Sequence, residues 1–282
     1  MKHLKFLWLT MVMLLCSTSV TAYDFEDNGI YYDITSETDK TVEVVSSSKT
    51  FASYAGNVIF PRLVTYRRQT YRVTRIGDAA FRDCANLTSV KIPNSVIAIG
   101  DSAFYNCSSL KDVTIPNSVV EIGSGAFFHC SGLNTVALGN NVTTIGDWAF
   151  FHCSGLTSVT IPNSVVEIGD RAFSECFGMT SLMIPNNVKT IGENAFFWCS
   201  DLTSVTIGSG VELIGKNAFS RCNRLKDVSA LAMTPIVCEN NIFDMEKFEE
   251  VTLYVSEGAK EAYMMVAPWG NFEKVQERIF IR

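Results

Sequence analysis

Residues 107–129 read CSSLKDVTIPNSVVEIGSGAFFH, and this pattern returns along the chain at a fixed interval of 23 residues. The dipeptide Ile-Gly begins at positions 76, 99, 122, 145, 168, 191 and 214, and cysteine recurs at the same interval from Cys84 to Cys222. A fixed period of this length is typical of repeat proteins whose units stack into a solenoid. We therefore predict seven stacked units over residues 76–234.

The first half of each unit has the pattern of a short strand followed by a turn. Leu110, Val113 and Ile115 are separated by polar residues, as expected for a strand with one buried face. Pro116-Asn117 then favours a turn, because proline cannot donate to a strand ladder and asparagine suits turn conformations. Strands of successive units are expected to stack in parallel, about 4.8 Å apart, in a right-handed superhelix.

The second half of the unit predicts another short extended segment and a compact outer turn. Residues 119–122 form the extended segment, and Gly123 permits a bend after it. Residues 125–128 fit a single helical or 3₁₀ turn on the outer side. One unit is too short to fold alone, so its stability depends on burial against its neighbours. The sequence therefore predicts an α/β repeat solenoid.

The unit Cys-x-x-Leu-x-x-Val-x-Ile-Pro-x-x-Val-x-x-Ile-Gly-x-x-Ala-Phe-x-x resembles the leucine-rich repeat of the BspA-like, treponemal type. This class is found in surface proteins of Bacteroidetes and spirochaetes. The resemblance covers residues 76–234 and implies a leucine-rich-repeat superhelix, adhesion or surface sensing, and no catalytic residues. Gly139 and Gly208 replace the proline of the pattern, and Met179 and Leu182 depart from it in the fifth unit. These changes are expected to loosen turns locally.

Residues 23–75 predict an N-terminal β capping region. Strand patterns at 30–34 and 41–45 favour a hairpin, and an extra arm near 65–71 interrupts the repeat interval. A solenoid needs such terminal units to cover its exposed ladder ends. The resemblance extends here as well, since residues 23–50 are similar to the family's usual leader.

Residues 235–282 predict a degenerate eighth unit and a C-terminal cap that contains a helix. Ser256 is expected to cap this helix, whose apolar face carries residues 259, 262, 263 and 266. Pro268 ends the helix, and Trp269 and Phe272 are expected to plug the open end of the solenoid. Residues 251–272 are similar to the family's usual terminal segment.

Residues 1–22 have the composition of a signal peptide for export. Lys2 and Lys5 precede an apolar run at 6–15 that is too short to span a bilayer comfortably, and Ala22 ends a plausible cleavage site. A lipoprotein signal ending at Cys16 is the alternative, although Leu15 is bulky where a small residue is expected. We therefore expect an exported protein at the cell surface or outside the cell, with a periplasmic location also open.

The charge balance argues against nucleic acid as a partner. Removing the two lysines of residues 1–22 lowers the formal net charge from −6 to −8, whereas phosphates demand a basic face. The one basic patch consists of Arg62, Arg67, Arg68, Arg72 and Arg75. It is compatible with anion binding, but a solvated hairpin explains it equally well.

The cysteines and histidines of the repeats have a structural interpretation. Stacked cysteines point the same way, which is poor geometry for a disulfide, so we interpret them as buried, unbridged thiols. Cys238 lies outside their column and has no assigned role. His129 and His152 stack in the duplicated Phe-Phe-His-Cys, and the first acidic residue after them in that column is Glu175. Neither a metal site nor a catalytic pair is predicted from them.

The aromatic residues next to the core phenylalanines are the first candidate binding surface. The position after Ala-Phe holds Tyr105, Phe128, Phe151 and Phe197, and Trp148 and Trp198 flank this column. An exposed patch of these rings suits a sugar ring or an apolar partner. The alternative is that they form a second packing layer over the neighbouring turns.

The outward strand positions are the second candidate surface. Thr114, Thr160 and Thr206 contribute small hydroxyl side chains to a flat face with few charges. Such a face is compatible with a protein partner, although it also describes any solvated strand face. No phosphate-binding glycine loop, nucleophile elbow or metal-ligand spacing is present in the sequence, so we predict no cofactor.

These observations predict a non-enzymatic, exported surface protein that binds a protein partner or mediates adhesion. A glycan-binding module for polysaccharide capture, with the tryptophans as stacking platforms, is the alternative from another class. A structural envelope protein is a third. The sequence does not specify the partner, the mode of envelope attachment or the oligomeric state.

Overall fold

The computed structural model describes residues 23–47, 54–239, 241–244 and 247–280. The predicted signal peptide lies outside these residues. The described chain forms a solenoid of about nine stacked coils, which confirms the predicted fold. Each repeat contributes one strand to a long ladder that runs along the solenoid and one strand to a series of shorter sheets.

The strands are β1 Phe25–Asp27, β2 Ile30–Ser36, β3 Thr41–Val45, β4 Gly56–Ile59, β5 Leu63–Tyr66, β6 Gln69–Ile76, β7 Leu87–Lys91, β8 Ala98–Ile99, β9 Asp112–Thr114, β10 Glu121–Ile122, β11 Thr135–Ala137, β12 Thr144–Ile145, β13 Ser158–Thr160, β14 Glu167–Ile168, β15 Ser181–Ile184, β16 Thr190–Ile191, β17 Ser204–Ile207, β18 Leu213–Ile214, β19 Asp227–Ala230, β20 Val237–Cys238, β21 Thr252–Ser256 and β22 Lys274–Arg278. The helices are α1 Lys247–Glu250 and α2 Lys260–Met264, with a 3₁₀ turn at Trp269–Asn271. No helix of the described residues is both long enough and apolar enough to span a bilayer.

The long ladder and the shorter sheets place equivalent repeat residues directly beside one another. The longer ladder continues from β6 through β8, β10, β12, β14, β16, β18 and β20, all in parallel. In it Ile122 pairs with Ile99 on one side and Ile145 on the other. The other strand of each repeat forms the sheets β4-β7, β9-β11-β13 and β15-β17-β19-β21-β22. The interval in the sequence is therefore the length of one coil.

The core is a set of continuous internal columns. The phenylalanines of Ala-Phe are buried, and successive rings stack with centroids 4.9–5.6 Å apart from Phe81 to Phe243. The column cysteines are also buried, as predicted, and each thiol from Cys107 to Cys222 donates to a phenylalanine carbonyl 26 residues earlier. Burial raises the pKa of the Cys153 thiol well above its ordinary value. These thiols are therefore packing groups.

The outer segments of the repeats are turns and not the helical or 3₁₀ turns expected from sequence. Their backbone amides alternate between two kinds of partner: Phe128 N–H donates within the turn to Gly125, whereas Phe127 N–H donates to Ala149 of the next coil. A helix requires every amide to bond within its own segment. Helix among the described residues is confined to α1, α2 and the single 3₁₀ turn.

The N-terminal segment contains the predicted hairpin, in which β2 and β3 are antiparallel. The extra arm is a second hairpin of β5 and β6, joined by Arg67 and Arg68, both with positive φ. Arg75 is paired with Glu43 at 2.7 Å and with Asp78. The basic residues are thus distributed over a hairpin and an ion-pair cluster.

The C-terminal segment differs in detail from the sequence expectation. Ser256 does not cap α2, because its hydroxyl donates to the carbonyl of Leu231 at 2.9 Å. Of the residues predicted for the apolar face, Ala259 and Tyr263 are buried, whereas Ala262 and Val266 are exposed. Trp269 and Phe272 are buried, and β22 then adds one further parallel strand.

Cys238, which the sequence left unassigned, belongs to the longer ladder. It pairs with Ile214, so it occupies the isoleucine position of the Ile-Gly dipeptide one coil later. The interval there is 24 residues instead of 23, which hides the repeat. The Cys238 side chain is half-buried, and burial raises its pKa to about 12.

Candidate binding surfaces

The aromatic residues of the outer turns form a stacked ladder. Tyr105, Phe128 and Phe151 occupy the same position in three successive coils, and each neighbouring pair of ring centroids is 4.8 Å apart. All three rings are half-buried. The structure thus brings these sequence-predicted residues together, as a second layer of rings outside the core.

Trp148 extends this ladder sideways. Its ring centroid lies 5.0 Å from that of Phe151 and 6.1 Å from that of Phe128. The guanidinium of Arg171 covers the Trp148 ring at 4.5 Å from the centroid, within the range of a cation–π contact. Arg82 covers Tyr105 in the same way at the other end of the ladder, also at 4.5 Å.

Phe177 connects the ladder to Trp198, and it was not among the residues predicted from the sequence. Its ring makes edge contacts with His152 at 5.7 Å and with Trp198 at 5.5 Å. The sequence already distinguished Phe177, because an aromatic ring stands there at a position that holds serine in four other repeats: Ser108, Ser131, Ser154 and Ser200. We use the name aromatic face for Tyr105, Phe128, Trp148, Phe151, Phe177 and Trp198.

Several rings of the aromatic face have their faces covered by a neighbouring ring or guanidinium group. Within the stack, Phe128 has Tyr105 on one face and Phe151 on the other. Arg171 lies over Trp148. A sugar ring needs an open aromatic face on which to lie, so this geometry is better suited to side chains that pack between and against ring edges.

Trp148 and Trp198 adopt a backbone conformation that is unfavourable for large side chains. Their φ angles are 59° and 58°, in the left-handed region that glycine and asparagine tolerate best. The equivalent positions in other coils are also left-handed and hold various residues, among them Gly125, Arg171 and Glu175. The strain of a left-handed residue is of order 1–3 kcal/mol and persists only where the surroundings impose it.

The two histidines lie at the centre of the aromatic face. His129 and His152 stack at 4.4 Å, and Nδ1 of His152 lies 2.9 Å from a carboxylate oxygen of Glu175. Partial burial and the neighbouring His152 lower the pKa of His129. Across the described ranges, no group of three or more histidine, cysteine or acidic side chains is arranged to hold a metal ion.

The hydroxyl residues of the strand face are not direct neighbours. Thr114 and Thr160 each pair with Ala137, which separates them by two coils, and Thr206 pairs with Met183. Near Thr160 a groove of about 680 Å³ opens on this face, with the exposed Met183 and Met233 on its walls. The strand face is therefore less uniformly polar than its threonines and serines suggest.

Stacked coils, internal side-chain columns and an outer aromatic face define a solenoid repeat protein with surfaces for macromolecular partners. The family model for the BspA-type leucine-rich-repeat region matches the chain in six copies, over residues 68–178 and 166–258. The chain therefore belongs to the BspA-type leucine-rich-repeat family, which is generally non-enzymatic.

Two solved structures have the same fold. A leucine-rich cell surface protein from Faecalibacterium prausnitzii A2-165 is 24% identical with a TM-score of 0.52, and the match covers 89% of this chain and 87% of that one. A leucine-rich-repeat protein from T. pallidum is 22% identical with a TM-score of 0.50, and the match covers 74% of this chain and 86% of that one. No curated protein matches the chain.

Proposed function

We propose that this protein is exported to the cell surface and binds a protein partner through its aromatic face. One observation carries the proposal: Trp148 and Trp198 are large, partly exposed side chains at left-handed positions. Core packing does not require tryptophan there, since the equivalent positions of other coils hold residues as different as Gly125, Arg171 and Glu175 at similar φ.

The composition of the aromatic face agrees with a protein partner. Protein interfaces are enriched in tryptophan, tyrosine, phenylalanine and arginine relative to the rest of the surface. Here Arg82 and Arg171 lie over rings of the face. A partner that supplies apolar side chains for the rings and a carboxylate for Arg171 would match this surface.

Export rests on the sequence of residues 1–22 and on the family to which the chain belongs. A basic start, a short apolar run and a small-residue cleavage site are the three parts of a secretory signal. Leucine-rich-repeat proteins of the BspA type lie at the cell surface. Labelling intact cells with a membrane-impermeant biotin reagent tests this location, and exclusive recovery of unlabelled protein would contradict it.

A comparative pull-down tests the binding surface. The wild-type protein and the Trp148→Asn variant are each incubated with extracts of host and bacterial surfaces. We expect a protein retained by the wild type to be lost from Trp148→Asn, because the variant removes the ring but keeps a residue that favours the left-handed backbone. The melting temperature of the variant should be unchanged or higher.

Thr160→Lys is the matched control on the strand face, since Lys91 already occupies that column. This variant should retain the same protein as the wild type. If Thr160→Lys loses binding and Trp148→Asn does not, the binding site lies on the strand face. If both variants retain the same protein as the wild type, neither surface is the binding site. If the wild type retains no protein from any extract, the proposal itself is contradicted.

A further inference from the structure

Phe197 stands apart from the other rings of its column. Serine occupies the equivalent position one coil before and one coil after it, at Ser174 and Ser220. Among the described residues its only aromatic contact is with Trp198, in edge geometry at 6.5 Å. Unlike Phe128, Phe197 therefore has no ring stacked on either of its faces.

The gap beside Phe197 is a cleft of about 640 Å³. Ser220 forms part of its lining, and the small side chain leaves the space that a ring occupies in the preceding coils. Volumes of roughly 300–1,000 Å³ are usual for small-ligand sites. The cleft is open to solvent along one side, so a chain-like ligand can lie across it.

The rim of this cleft is rich in amide groups. Asn217, Asn223 and Asn241 line it, and Asn217 and Asn241 have φ angles of 56° and 62°. Within the described part of the chain, neither the Asn217 nor the Asn241 side chain makes a hydrogen bond. A primary amide offers two donors and an acceptor oxygen, which pair with adjacent hydroxyl groups. Asparagine thus satisfies the left-handed backbone and leaves its amide available.

The charges of the cleft are balanced. Arg221 and Asp244 are its two ionic residues, and the Arg221 backbone N–H donates to the Asp244 carboxylate at 2.6 Å. The Arg221 guanidinium lies 5.8 Å from the Phe197 ring centroid, near the limit of about 6 Å for a cation–π contact. The Asp244 carboxylate would repel an anionic ligand, and the Arg221 guanidinium would repel a cationic one. An uncharged ligand avoids both repulsions.

We propose that this cleft binds a neutral oligosaccharide, with Phe197 as the stacking platform and Asn217 and Asn241 as hydrogen-bond partners of its hydroxyl groups. A sugar ring has an apolar face for the phenyl ring and an edge of hydroxyls for the amides. The site lies outside the aromatic face as defined above. It adjoins that face at Trp198, whose ring contacts Phe197, so the two proposals are separated by testing Phe197 and Trp148 in different variants.

Affinity electrophoresis tests the site, with the protein run through native gels that contain dextran, laminarin, mannan or arabinoxylan. We expect at least one of these neutral polysaccharides to retard the wild type. Phe197→Ser introduces the residue already present at 174 and 220, and Asn217→Gly keeps the left-handed backbone. Each substitution should raise the apparent dissociation constant by about tenfold, as expected for one lost stacking or hydrogen-bonding group.

Tyr105→Ser is the matched control, because it makes the same kind of change in the same column but far from the cleft. It should be retarded like the wild type, and all variants should melt as single folded species. The proposal is overturned if none of the neutral polysaccharides retards the wild type, if Phe197→Ser is retarded equally, or if only heparin causes retardation. Protein binding by the aromatic face, measured in the pull-down, should be unaffected by Phe197→Ser.

Discussion

The carboxylate of Asp147 accepts a hydrogen bond at 2.8 Å from the backbone N–H of Asp170, the residue at the same position one coil later. The contact repeats where Asp78 accepts from Asp101, Asp101 from Ser124 and Asp170 from Glu193. Each carboxylate thus satisfies an amide of the next coil at the start of the outer turn. This ladder runs beside the main-chain hydrogen bonds and helps to fix the spacing of the coils.

Removing one carboxylate of this ladder should destabilise the solenoid. Asp147→Ala leaves the Asp170 N–H to water and should lower the free energy of unfolding by about 1 kcal/mol, the usual net worth of such a bond. Asp147→Asn should lower the free energy of unfolding only slightly, because an asparagine oxygen accepts the same kind of bond elsewhere. Asn117 accepts from the Asn140 N–H at 2.8 Å. Urea unfolding followed by circular dichroism measures both. Equal losses in the two variants would contradict the role of the ladder.

The glycine of Ile-Gly should not tolerate a methyl group. A β carbon on Gly169 would lie 2.5 Å from Oδ1 of Asp147 and 2.7 Å from the Asp147 backbone nitrogen. We expect Gly169→Ala to lower the free energy of unfolding by about 1–3 kcal/mol, as overpacking does. Gly125→Asn is the control, since a β carbon there meets nothing closer than 3.5 Å and asparagine tolerates its left-handed φ of 60°. It should unfold at the same urea concentration as the wild type.

The column thiols should be inert until the protein unfolds. Burial raises the pKa of Cys130, Cys153 and Cys199, and only the thiolate form reacts readily. At about pH 8, near the ordinary pKa of a thiol, a chromogenic disulfide reagent should label the native protein slowly and first at the half-buried Cys238. Guanidinium should expose the whole column. Fast native labelling that persists in Cys238→Ser would show that the column opens.

Acid should weaken the turn that contains His129. Its pKa is lowered in the folded protein, so between the ordinary value near 6.5 and the folded value the unfolded chain binds more protons. Stability contributed by neutral His129 is therefore present above that range and is lost as the pH falls through it. His129→Asn, which introduces the residue found at Asn106 in the same column, should lose less melting temperature between pH 7.5 and pH 5 than the wild type. The groups that face His129 are His152 and Glu175, and both remain in the variant.

The periodic residues made the solenoid predictable. Ile122, Phe127 and Cys130 recur at one interval, and residues one interval apart become neighbours in a stack whatever the details of the coil. The aromatic ladder followed from the same logic, since Tyr105, Phe128 and Phe151 are also one interval apart. The solenoid fold, which was predicted from repetition alone, was therefore confirmed.

Predictions that depended on local backbone geometry were less successful. Gly123 was expected to permit a bend, but the sequence did not show that it also allows close approach of the preceding coil, where a β carbon would lie 2.5 Å from Oδ1 of Asp101. Ser256 was expected to cap α2, but a carbonyl of the preceding coil lies nearer. In both places contacts between coils outweigh preferences within the segment.

The sequence by itself determined the length of a coil, the identity of each internal column and the family to which the chain belongs, because translation by one interval superimposes equivalent residues. Only the tertiary structure decided how each ring is oriented and what covers it. Phe128 has a ring stacked on each face, whereas Phe197 meets the edge of Trp198 and the Arg221 guanidinium. Ring orientation results from packing between coils, which a repeat pattern does not encode.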